Sequence, residues 1–168
     1  MTEPKHFPIK PFLDELDSLA ATLPDLALEK DAAHIKQACT DWRKRYHTQA
    51  LVLIQPSTVE SLQAVVRLCA KHGIAMCTQG GNTGLVGGAV PVAQGPHAGR
   101  PHVLISTRGL RESLKLNPTN LTLIASAGFT LQEVQDAAQA HGLLFPLSLA
   151  SEGSCSIGGN LASNAGGV

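Results

Sequence analysis

The sequence predicts an α+β fold made of two small α/β lobes, and three observations lead there. Its 168 residues are 43% hydrophobic and 15% charged, a balance that supports a buried core without disulfide or metal staples. A short apolar run followed by a capped amphipathic helix occurs twice, about seventy residues apart. Ten of the 16 glycines fall in two stretches, 80–88 and 153–167, each following an apolar run beyond one of those helices. The boundaries expected are an N-terminal helical segment over 1–40, a first lobe over 41–110 and the start of a second lobe over 111–168.

The first element is an amphipathic helix. Between Pro11 and Leu23 the apolar residues Phe12, Leu13, Leu16, Leu19, Ala20 and Leu23 recur at steps of three and four, one helix face. Residues 25–46 are more polar and end in Asp41-Trp42-Arg43-Lys44-Arg45-Tyr46, read as a surface basic turn in which Arg43 or Arg45 could meet an anionic group. Leu51-Val52-Leu53-Ile54, stopped by Pro56, suits a strand buried on both faces. Ser57 and Glu60 have capping-box spacing, so a helix follows with Leu62, Val65, Val66 and Cys69 on one face. Gly73 fits a left-handed cap at its end. Ile74-Ala75-Met76-Cys77 is then a second strand, completing a parallel β-α-β unit.

Residues 94–101, rich in glycine and proline, read as a polar surface loop, and Val103-Leu104-Ile105-Ser106 as a further strand. The second unit runs from a strand over Leu121–Ala127 through the capping pair Thr130 and Glu133 to a helix face of Leu131, Val134 and Ala138. His141-Gly142 terminates it. Leu143-Leu144-Phe145 then leads, as a strand, into the second glycine stretch.

Thirteen basic and thirteen acidic side chains give a net charge of zero, which argues against a nucleic-acid or membrane-surface partner, since both select an excess of Lys and Arg. A small molecule is the expected partner. Cys39, Cys69, Cys77 and Cys155 form no paired zinc spacing, and the seven histidines form no HxxxH or HxH pair, so no metal site is expected. The acidic, proline-containing N-terminus lacks the pattern of a signal or transit peptide, giving a cytoplasmic expectation. No apolar run reaches the ~20 residues that span a bilayer. The chain stops inside a glycine cluster at Val168, which reads as a domain truncated at its C-terminus.

The chemistry lies in the glycine stretches. Gln79-Gly80-Gly81-Asn82-Thr83-Gly84-Leu85-Val86-Gly87-Gly88 allows main-chain amides to approach a ligand with no Cβ in the way, and successive inward amides make an anion nest. Asn82 and Thr83 add neutral donors. The stretch has no lysine for a Walker-type phosphate loop and no GxGxxG fingerprint. Glu152-Gly153-Ser154-Cys155-Ser156-Ile157-Gly158-Gly159-Asn160 onward repeats the chemistry with small residues, hydroxyls and amides. Two such surfaces suit one extended ligand with paired anionic groups.

QGGNTGLVGGAVP followed by PLSLASEGSCSIGGNLASNAGG resembles the FAD-linked oxidase family, whose flavin domain is that of vanillyl-alcohol oxidase and para-cresol methylhydroxylase. Within it the resemblance is nearest to D-2-hydroxyglutarate dehydrogenases, D-lactate dehydrogenases and the glycolate oxidase FAD subunit, and it runs from about Asp41 to Val168. It implies a two-lobed FAD-binding domain, a small parallel lobe plus the start of a mixed-sheet lobe. By the same resemblance Gly80, Gly81, Asn82, Thr83 and Gly84, with Leu85, wrap the FAD diphosphate. Gly153, Ser154, Ile157, Gly158, Gly159, Asn160, Ser163 and Asn164 line the ribityl and flavin side, with Pro146 and Ser148 beside the cofactor.

Neither His nor Cys stands in the first loop, so noncovalent FAD is expected, although Cys77 lies just before it. The implied reaction is oxidation of a small 2-hydroxy acid by hydride transfer to the flavin. Its electron acceptor is left open, and its catalytic residues are expected after residue 168. A reductase resembling UDP-N-acetylmuramate reductase and a noncatalytic nucleotide-binding module are the alternatives.

Overall fold

The computed structural model describes residues 7–91 and 99–167; most of the loop expected at 94–101 lies outside them. Helix α1 (Ile9–Thr22) buries Phe12 and Leu16, the centre of the apolar face read from the sequence. A short strand β1 (Leu26–Glu29) and helix α2 (Ala32–Ala38) follow, with the Asp31 carboxylate capping α2 through the amides of Ala33 and His34. Strand β2 (Leu53–Pro56), helix α3 (Val59–His72) and strand β3 (Ala75–Gln79) come next. Gly73 ends α3 at φ 67°, the left-handed cap.

The cap at the other end of α3 differs from expectation. Thr58 is the N-cap and Ser61 its reciprocal partner. Ser57 Oγ instead donates to the carbonyl of Asp25 at 3.0 Å, a tie between the end of β2 and the start of β1 that no local pattern encodes. Val66, placed on the buried face by periodicity, is 38% exposed.

Strand β4 (His102–Ser106) lies between β2 and β3, so the sheet order is β1-β2-β4-β3, parallel except for β1, which runs antiparallel to β2. Side chains alternate across the central strands. Ile54, Val103 and Ile105 join Phe12, Leu16, Val65 and Cys69 beneath α1 and α3, while Leu53 and Leu104 join Ile35 and Cys39 on the α2 side. The result is a three-layer lobe into which residues 26–38 are woven. Their four-residue strand and two-turn helix gave too short a pattern to read beforehand.

The second half departs further. Its first elements form an antiparallel hairpin, β5 (Leu114–Asn117) and β6 (Thr122–Ala125), two elements where one strand over 121–127 was expected. Helix α4 (Leu131–Gln139) has the predicted Thr130–Glu133 capping box and buries Leu131, Val134 and Ala138. Leu143–Phe145 forms no strand: the run has no pairing partner among the described residues, and Leu144 is 84% exposed. The second glycine stretch is partly helical, since Ser156 caps α5 (Ile157–Ala162) by accepting from Gly159 N. No helix of the described residues is long and apolar enough to cross a membrane.

Candidate functional site

The first glycine loop springs from the carboxyl end of β3 and is tied down at several points. Gln79, nearly buried, donates its Nε2 to Ala38 O at 2.9 Å and to Ala89 O at 2.8 Å, joining the loop's two ends to α2. Asn82 sits at φ 54° and donates Nδ2 to Thr40 O at 2.9 Å. Behind the loop, Thr107 N donates to Gln79 O at 2.8 Å and Arg108 Nη2 to Gly81 O at 3.0 Å. At the far turn Gly87 has φ 74°, and a Cβ there would lie 2.7 Å from the ring of Tyr46. That ring is placed by the 41–46 turn, whose hub is the buried Asp41 carboxylate accepting from Tyr46 N at 2.7 Å and Arg43 N at 3.2 Å. These amides, the Tyr46 N–H first, lower the Asp41 pKa.

Among the described residues, no main-chain N–H from Gly80 to Ala89 donates a hydrogen bond to the protein, and neither does the Thr83 hydroxyl. Asn82 Oδ1 is buried and likewise unpartnered. Half-buried polar groups are normally paired, so the free amides of the half-buried Gly80, Gly81, Asn82 and Thr83, continued by the more exposed Gly84–Val86, are a ready set of donors for an anion.

The second stretch closes over this loop. A Cβ on Gly80 would collide with Ser156 Oγ, and one on Gly81 with Ser154 O, with Cys155 Cα at 2.8 Å. These glycines therefore permit loop-to-loop contact, a reason different from phosphate approach. Gly84 and Gly88, in contrast, face open space, with nothing within 4 Å of an added Cβ. Between the stretches lies a cavity of about 400 Å³, within the size range of small-molecule sites.

Most main-chain donors of the second wall are already used, which corrects the expectation that both stretches present free amides. Ser154 and Cys155 donate to Ser151 O, Ile157 to Phe129 O, Gly158 to Ala127 O and Gly159 to Ser156 Oγ. The hydroxyls of Ser154 and Ser163 donate to Ser151 O and Gly159 O. This wall supplies shape; the first loop supplies donors.

Of the residues singled out from sequence, the cavity gathers Gly80, Gly81, Asn82, Thr83, Gly84, Gly159, Asn160 and Ser163. Leu85 is half exposed, Gly153 faces open space, Ile157 is buried, Gly158 packs on Ala127, and Asn164 sits exposed at φ 47°. Ser154 meets the cavity only through its contact with Gly81. Pro146 lines a separate apolar hollow of about 360 Å³ with Leu116, Leu123 and Phe145. Ser148 Oγ donates to Glu152 Oε2 at 3.3 Å. Sequence reasoning missed Thr78, Ser151, Ser156 and Ala162 in the lining, and Gln79 as the loop's clamp. Strand alternation could have found Thr78, because Cys77 faces the other side.

Among the described residues, no charged residue and no histidine lines this cavity. Cys77 packs with Cys39 and Leu104 on the opposite face of the sheet, and burial pushes its thiol up to about 11. Cys155 is buried in the wall, where its Sγ accepts from Asn160 Nδ2 at 3.4 Å.

Three comparisons bear on this geometry. A family described as FAD binding domain matches residues 50–168. A D-2-hydroxyglutarate dehydrogenase of Xanthomonas citri pv. viticola is 38% identical over 151 residues, covering 90% of this chain and 30% of that protein. The mitochondrial D-2-hydroxyglutarate dehydrogenase of Rattus norvegicus is 32% identical, covering all of this chain and 31% of its own length. The chain thus spans about a third of the relatives it matches, and the rat protein's location lends the cytoplasmic expectation no support. Among solved structures, p-cresol methylhydroxylase with substrate bound superposes with a TM-score of 0.66 at 21% identity, over 94% of this chain and 30% of that one. At that identity the likeness shows the fold, which is the one the sequence resemblance implied.

Proposed function

This chain belongs to the FAD binding domain family and takes FAD as its cofactor, and on that premise we propose that it forms the diphosphate-holding portion of an FAD-dependent dehydrogenase acting on a small 2-hydroxy acid. D-2-hydroxyglutarate is the favoured substrate over D-lactate and glycolate, because it is the one in the relatives' names. The observation that carries the reading is the run of amides from Gly80 to Ala89 that have no acceptor among the described residues, in a loop most of whose residues line a cavity with open space at Gly84 and Gly88. In this reading Gly80–Gly84, with the Thr83 hydroxyl, take the diphosphate. Gly159, Asn160 and Ser163 form the facing wall, and residues 7–91 and 99–110 act as one lobe with the second beginning at 111.

When bound, FAD supplies the electron sink that accepts a hydride from the substrate carbon bearing the hydroxyl. This chain's part is to bind and orient. Neutral donors already fixed by Gln79, Thr107 and Arg108 need no rearrangement to meet an anion, the condition under which fixed dipoles are most effective. The described lining residues are uncharged, so the role assigned to them is binding rather than proton transfer. Cys77, turned away and held protonated, supports noncovalent attachment.

The full-length protein, stripped of flavin, tests this directly. It should regain FAD and then reduce a dye fastest with D-2-hydroxyglutarate among the three hydroxy acids. A protein indifferent to FAD, or one that none of the three acids reduces, contradicts the proposal.

A further inference from the structure

We infer that Arg108 is a positioning residue of the diphosphate site, delivering positive charge through the Gly81–Asn82 peptide without touching the anion. The inference rests on the cradle reading above. Among the described residues, an anion carrying paired phosphates would meet no cationic side chain in the cavity, since none of them lines it. A cation does stand behind the loop, where the Arg108 guanidinium donates to the Gly81 carbonyl. Arg108 lines a different and larger hollow of about 950 Å³, on which Gly81 and Asn82 also border, so the loop is a thin partition with the guanidinium on one side and the candidate phosphate position on the other.

The hydrogen bonds set the direction of the intervening dipoles. Thr107 and Arg108 hold the carbonyls of Gln79 and Gly81. Each carbonyl shares a planar trans peptide with the next residue's N–H, which points the opposite way. The N–H groups of Gly80 and Asn82 are therefore aimed away from the Thr107–Arg108 turn, and both lack a protein acceptor among the described residues. A charge-assisted bond to the Gly81 carbonyl polarises that peptide and strengthens its amide as a donor. No ion pair neutralises the guanidinium: among the described residues no carboxylate bonds to Arg108, and it is exposed. Thr107 contributes the same orientation two peptides earlier, at Gln79–Gly80, without charge.

The test compares the full-length protein with its Arg108→Met and Arg108→Lys variants, titrating each flavin-free form with FAD and with riboflavin, which has no phosphate. Arg108→Met should weaken FAD binding about tenfold while leaving riboflavin affinity within about twofold. Arg108→Lys, which keeps a charge but loses the planar fork, should recover part of the FAD affinity. Equal losses for both flavins would mean that the arginine only stiffens the loop, and unchanged FAD affinity would mean that it does nothing for the anion; either overturns the inference. If the unaltered protein holds FAD no tighter than riboflavin, the cradle reading itself fails, a result distinct from any difference between variants.

Discussion

Gln79 Nε2 donates to Ala89 O at 2.8 Å, so the residue that ends β3 also fixes the far end of the glycine loop ten residues on. Its second bond, to Ala38 O, hangs the same loop from α2. Replacing Gln79 with Leu keeps the volume and leaves two carbonyls without their donor. We expect a stability loss of about 1–3 kcal/mol and at least tenfold weaker FAD binding, read by denaturant unfolding and flavin titration. Wild-type affinity in Gln79→Leu would mean that the loop keeps its shape without the clamp.

The glycines separate packing from ligand approach. At Gly81 a side chain strikes Ser154 and Cys155, so Gly81→Val should cost about 1–3 kcal/mol of stability through overpacking before any ligand is considered. The loss of FAD that phosphate crowding alone predicts at this position is thereby confounded with unfolding. Gly84 has free space, and Gly84→Val should leave the melting temperature nearly unchanged while weakening FAD more than tenfold. An unaffected affinity in a folded Gly84→Val protein places the diphosphate elsewhere.

Arg111 grips Glu133 with two nitrogens while its guanidinium stands 4.5 Å from the centre of the Phe129 ring. Glu133 also closes the capping box of α4. Arg111, ahead of the Thr130 amide, lowers the Glu133 pKa from 4.5 to about 2. A depressed folded pKa means stability that is complete above the unfolded value and drains away as pH falls from about 4.5 toward 2. The pair is partly exposed, so the contribution is about 1 kcal/mol. Glu133→Gln should lower stability at pH 7 by that amount and flatten the acid limb of a stability-against-pH curve. An unchanged acid limb would assign the loss to other carboxylates.

Cys77, partly buried on the far face of the sheet and held protonated, predicts that flavin is released on denaturation. A denaturing gel of the FAD-loaded protein should show no fluorescent band, and Cys77→Ala should retain full flavin content. A band that survives denaturation and disappears in Cys77→Ala contradicts noncovalent binding.

How much of this could be read beforehand follows from the range of the forces involved. Helix faces and caps are local, so α1, α4 with its Thr130–Glu133 box, and the Gly73 terminus were legible. The α3 cap was displaced by one residue because Ser57 and Thr58 both suit the role, and a contact 32 residues away, to Asp25, decides between them. The glycine stretches announced a site; their division of labour was not legible. Whether an amide is free depends on where its neighbours' carbonyls lie: those around Ser154–Gly159 have acceptors in Ser151, Phe129 and Ala127, whereas those of Gly80–Ala89 have none among the described residues. Two glycines at 158 and 159 suggested a loop, yet the Ser156 cap and the packing of Gly158 on Ala127 make it helix.

Amide hydrogen exchange of the full-length protein, with and without FAD, reaches the central claim most directly. The amides of Gly80 to Ala89 should exchange fast in the flavin-free protein and become the most strongly protected segment when FAD is added, with riboflavin protecting them far less. Fast exchange there in the FAD complex, with protection gained only in other segments, would contradict the account.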